Sequence, residues 1–136
     1  MTAARSFRPA IDALDALVGF TAGTFADEGI DVALRPAVDL ALEELFTNLV
    51  KYGHGRGDIE VEMRAIARGV EVSLSAEGVE PFDPGTAPAP DTSLPLEARQ
   101  PGGLGLHLTR RLVDAIEYEY QSPKRRCRVT FRKTLA

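Results

Sequence analysis

Between Val38 and Tyr52, apolar side chains recur at Val38, Ala41, Leu42, Leu45, Phe46, Leu49 and Tyr52. That spacing gives a helix one broad buried side. Pro36 falls in its first turn, where the missing N–H costs nothing. A second helical spacing runs from Ile11 through Leu14, Leu17, Val18, Thr21 and Phe25 to about Glu28, with Gly29 as the stop. Ile59, Val61, Met63 and Ala65 alternate with polar residues, and so do Val70, Val72, Leu74 and Ala76. With a turn at Arg68-Gly69 between them, they predict a β-hairpin with one buried face. A third helix is expected from Pro101-Gly102-Gly103-Leu104-Gly105 to about Ile116, with Leu108, Leu112, Ala115 and Ile116 inward. Ile116, Tyr118 and Tyr120 start a strand, a turn follows near Ser122-Pro123, and Val129 and Phe131 mark the last strand. Residues 4–9 predict a short edge strand ended by Pro9.

The order is (β)ααββ, a long loop, then αββ. This is an α+β fold, a two-layer α/β sandwich whose mostly antiparallel, mixed sheet carries three helices on one face. The loop, from Val79 to Pro101, holds six of the nine prolines, at 81, 84, 88, 90, 95 and 101. A non-periodic stretch of that length inside a compact domain is a functional lid or disordered. We expect one domain over 1–136, with a lid at about 84–102.

Glu44, Asn48 and Lys51, at i, i+4 and i+7, form a polar strip. Glu44 and Asn48 lie beside the buried side of their helix rather than opposite it, where a half-buried polar site would sit. A carboxylate there can take a proton, an amide oxygen can ligate a hard cation, and an ammonium can meet phosphate. The plain alternative is a solvated helix face.

Composition narrows the classes. The 136 residues carry a net charge of −4, which argues against nucleic acid as the main partner. The basic run Lys124, Arg125, Arg126 and Arg128 reads as a solvated hairpin turn. No apolar stretch is long enough to cross a bilayer, and the amino terminus lacks the apolar middle of a secretory signal. A cytoplasmic protein without membrane attachment is expected. The single Cys127 rules out an internal disulfide, and His54 and His107 have no third ligand at metal-site spacing.

Gly103-Leu104-Gly105-Leu106 stands at a helix start. Glycine admits a ligand close to the backbone, and the exposed N–H groups of a first helical turn attract anions. It is no dinucleotide fingerprint, since a proline-rich loop rather than a strand precedes it. It is no P-loop either, since no GK[ST] follows. A simple turn remains the plain alternative.

The combination resembles the histidine-kinase-like (GHKL) ATPase superfamily. Its parts are a helix with E-x-x-x-N, a hairpin, a long loop and GGLGLHL at a helix start. Glu44 to Tyr52 looks like the N box of that family and Gly103 to Leu106 its second glycine box. PFDP (Pro81 to Pro84), PGGLGLHLTRRLVD and the closing RVTFRK are similar to the small anti-sigma-factor serine/threonine kinases of bacterial partner switching. The resemblance spans about Asp31 to Lys133.

It implies an ATP-binding fold of the Bergerat type and a kinase that phosphorylates an anti-sigma-factor antagonist (STAS-type) and sequesters a sigma factor or similar regulator. Homodimers are frequent in that group. Glu44 would be the general base, Asn48 the ligand of Mg2+ bridging the ATP phosphates, and Lys51 an aid to phosphate charge. Gly103, Leu104, Gly105, Leu106 and His107 would frame the triphosphate below the lid. The family's first glycine box is D-x-G, its Asp accepting from the adenine amine. Here either Gly78 is the box glycine and Ala76 stands for the Asp, or Glu77 stands for the Asp and Val79 for the glycine. A buried amine without its acceptor costs roughly 1–3 kcal/mol. The alternative function is therefore a non-catalytic partner-switching module on the same fold, with weak or no ATP binding.

Overall fold

The computed structural model describes residues 2–52, 57–78, 109–121 and 125–135. Strand β1 (Thr2–Phe7) leads through a 3-10 turn at Ile11–Ala13 into helix α1 (Leu14–Glu28). Gly29 ends α1 in the left-handed region at φ 64°, its N–H on the Phe25 carbonyl, a conformation that disfavours any residue with a Cβ. The Asp31 side chain then accepts from Ala33 N–H at 2.9 Å, capping a second 3-10 turn that runs into helix α2 (Arg35–Tyr52). Strands β2 (Ile59–Ile66) and β3 (Gly69–Ala76) form the expected hairpin, and β4 (Ala115–Gln121) and β5 (Arg126–Thr134) close the chain.

The sheet order is β1-β2-β3-β5-β4, with the last strand inserted between β3 and β4. All four pairings are antiparallel, so the mixed character expected from the sequence is absent among the described strands. The edge strand at the amino terminus exists but lies at residues 2–7, two residues before the expected position.

One face of the sheet is apolar. Phe7, Val61, Met63, Val72, Leu74, Val129 and Phe131 are buried there with Leu17 and Phe25 of α1 and Val38, Leu42, Leu45 and Phe46 of α2. Burial of such side chains at roughly 1.5–3 kcal/mol each is the main force holding the layers together. The opposite face is polar, and its Ser73 and Ser75 are nevertheless buried. Ser73 Oγ shares a hydrogen bond with Thr130 Oγ1 at 2.9 Å, and on the same face Glu71 accepts from Arg64 at 2.8 Å and from Arg132 at 2.7 Å.

The third helix is described at residues 109–112 and ends there rather than near Ile116. Ala115 and Ile116, expected on its inner face, belong to β4. The cause is Asp114: its N–H donates to the Arg132 carbonyl at 2.9 Å, and its carboxylate accepts from Thr134 N–H at 2.7 Å and Thr134 Oγ1 at 2.6 Å. These bonds tie the chain to β5, and the alternation of Ile116, Tyr118 and Tyr120 with Glu117 and Glu119 takes over. Arg126 and Arg128, read as part of a turn, lie in β5, where Arg128 reaches Glu62 at 3.5 Å. The lid expected at about 84–102 lies outside the described residues.

Candidate functional site

Helix α2 buries Val38, Ala41, Leu42, Leu45, Phe46 and Leu49, the repeat its sequence sets out. At the border of that stripe the polar residues are graded in depth. Asn48 is 2% exposed, Glu44 is half-buried and Lys51 is exposed in the last turn. A buried amide needs partners, and Asn48 has them one helical turn back. Its Nδ2 donates to the Glu44 backbone carbonyl at 2.7 Å and to Glu44 Oε1 at 3.0 Å. Both bonds use the amide nitrogen and leave the carbonyl Oδ1 outside the pair. The Glu44 carboxylate is thereby held in one orientation, with Oε2 outside that contact.

Sheet register locates this pair. Phe46 meets Phe7 edge-on at 6.3 Å between ring centroids. Phe7 pairs with Ile59, and Glu60 with Ser75. The later half of α2 therefore lies over the end of the sheet where β3 stops at Ala76. There the Ala76 side chain is buried in the apolar layer, and Gly78 is exposed with φ at 69°. Glu77 lines a hollow of about 280 Å³ with Ser6, Asp58, Glu60, Ser75 and Arg126. Ser6, Glu60 and Ser75 belong to the polar face, while Ala76 of the apolar layer lines the same hollow.

Gly103, Leu104, Gly105, Leu106 and His107 lie outside the described residues, as does the side chain of Tyr52. Thr109, the first described residue after them, was not singled out by the sequence. It is 1% exposed, and its buried Oγ1 has no hydrogen-bond partner among the described residues. The only signal would have been a hydroxyl at a position whose helical spacing makes it inward-facing.

The donor set fits a magnesium nucleotide. Magnesium keeps several waters and takes few protein ligands beside substrate phosphates, so one amide oxygen beside one carboxylate is sufficient. No helix among the described residues is long and apolar enough to cross a membrane.

Comparison with known proteins agrees with this architecture. The sequence profile of the histidine kinase-like ATPase domain matches residues 7–133. The serine/threonine-protein kinase BtrW of Bordetella bronchiseptica is 30% identical over 89 residues, covering 63% of this chain and 62% of that protein. The match thus spans less than two thirds of the relative's own length. Among solved structures, the Acinetobacter baumannii histidine kinase AdeS superposes with a TM-score of 0.55 at 16% identity, over 97% of this chain and 67% of that one. At that identity the likeness concerns the fold alone.

Proposed function

The chain belongs to the histidine kinase-like ATPase domain family, and on that premise we propose that it is an ATP- and magnesium-dependent serine/threonine protein kinase of the anti-sigma-factor type. Its substrate would be a STAS-type antagonist protein, and its held partner a sigma factor or similar regulator. The likeness to BtrW supports the kinase class.

The observation that carries the reading is the Glu44–Asn48 pair. Phosphoryl transfer asks a protein for positioning and charge neutralisation rather than covalent chemistry. Glu44, oriented by the Asn48 amide, accepts the proton of the attacking hydroxyl. Asn48 Oδ1 would hold the metal, and Lys51, exposed in the last turn, would meet phosphate oxygens. Magnesium ATP, when bound, supplies the electrophilic phosphoryl group. Gly78 keeps the exit of β3 free of side chain.

The test is transfer of labelled γ-phosphate to candidate antagonist proteins. Wild type transfers, and Glu44→Gln loses about 100-fold or more in rate, the usual contribution of a general base. No transfer by wild type, or none lost in the variant, refutes the assignment.

A second reading rests on Ala76. Its methyl group is 4% exposed at the end of β3, where the family's acceptor for adenine would stand in one alignment. A non-catalytic module would hold its partner equally well with and without ATP.

A further inference from the structure

A cleft of about 260 Å³ opens between α1 and α2, separate from the Glu44–Asn48 pair and independent of the kinase reading. Its walls are Leu14, Leu17, Val18 and Leu42. Leu17 and Leu42 are buried, whereas Val18 is 48% exposed at the lip. Ile11, 47% exposed, precedes Leu14 and Val18 at helical spacing and extends the apolar line. The volume is below the roughly 300–1,000 Å³ of small-molecule pockets and suits leucine-sized anchors.

The rim is acidic. Asp15, Asp39 and Glu43 line the same cleft. Arg35 already answers Asp39 at 3.0 Å, while Asp15 and Glu43 form no ion pair among the described residues. The whole of Leu14–Glu28 contains no lysine or arginine. A second copy docking face to face would set these carboxylates against one another, which disfavours self-association here. Apolar walls under a carboxylate rim complement a helix with apolar residues on one side and cations flanking them.

We propose that the cleft between α1 and α2 docks a basic amphipathic helix of a partner protein. Its apolar side chains enter between Leu14, Val18 and Leu42, and its lysines or arginines lie over Asp15 and Glu43.

The test uses the full chain and two fluorescent peptides. One is a helix with leucines along one face and lysines elsewhere, and the other carries glutamates in place of the lysines. Fluorescence anisotropy at physiological salt should give saturable binding of the leucine–lysine peptide only. The Asp15→Lys/Glu43→Lys variant should weaken it about tenfold or more, and Val18→Glu should do likewise. All three positions are exposed, so the fold is retained, as far-ultraviolet circular dichroism will verify. Asp27→Lys/Glu119→Lys makes the same change in net charge at exposed sites outside the cleft and should alter binding less than about twofold. Equal weakening by the two double variants would reveal a general field effect and overturn the proposal. So would binding of the glutamate peptide, or a wild-type dimer that Val18→Glu dissociates in sedimentation. A kinase assay on Glu44→Gln leaves this outcome untouched, so the two readings fail separately.

Discussion

Asn48 Nδ2 donates to Glu44 twice, at 2.7 Å to the backbone carbonyl and 3.0 Å to Oε1. The amide therefore fixes the carboxylate without neutralising it. Glutamine at position 44 keeps an oxygen where Oε1 lies and removes only the charge. Glu44→Gln should change unfolding free energy by less than about 0.5 kcal/mol while losing phosphoryl transfer. Thermal unfolding of the two proteins in parallel checks the first half.

On the polar face, Glu71 bridges two arginines, and its side chain is 14% exposed. The Arg64 hydrogen bond, with Arg132 in support, holds its carboxyl below the usual glutamate range despite burial. A depressed folded-state value contributes stability above the unfolded value, lost as pH falls through the folded one. Glu71→Gln should be less stable than wild type by about 1 kcal/mol at neutral pH, a figure already discounted because both arginines are partly exposed. The difference should shrink below about pH 4. Urea titrations across that range measure it.

Glu60 behaves oppositely. Its hydrogen bond with Glu62, two residues along the same face, raises its carboxyl, with burial and the Glu62 charge adding, and Arg126 and Arg128 opposing. A raised value means that stability present in acid is lost as pH rises through it. Glu60→Gln should therefore melt higher than wild type at neutral pH and lose that advantage in acid. Melting temperature against pH reads the crossover.

Gly69 opens β3 against β5. A Cβ there would strike the Lys133 carbonyl and come within 2.8 Å of Thr134 Cα. Both atoms are backbone and cannot swing aside. Gly69→Ala should cost about 1–3 kcal/mol in chemical denaturation. At Gly78 a Cβ has nothing within 4 Å among the described residues, and the penalty of alanine there is that of the positive φ, about 1–2 kcal/mol.

Local periodicity made α1, α2 and the β2–β3 hairpin readable, because each buries one face whose repeat is written in a single stretch. It also placed Glu44 and Asn48 at the border of the buried stripe. It could not tell how unequal they are: Asn48 sinks because its amide is satisfied within its own helix, while Glu44 stays half-buried. The boundary near Ala115 was misread because Leu112, Ala115 and Ile116 keep helical spacing, and only bonds from Asp114 to Arg132 and Thr134, about twenty residues on, decide for a strand. The insertion of β5 between β3 and β4 is likewise long-range. So is the placement of Glu77, which two alignments offered as a nucleotide contact or its neighbour and which lines the hollow shared with Ser6 and Glu60.

Calorimetric titration of wild type and Asn48→Ala with ATP, each with and without magnesium, is the most direct measurement. Wild type should bind in a magnesium-dependent way, and the variant should lose about one to two decades of affinity in magnesium only, the value of one hydrogen-bonding ligand to a charged group. Binding that is absent in wild type up to millimolar nucleotide, or that is indifferent to both the metal and Asn48, would contradict a nucleotide site built on α2.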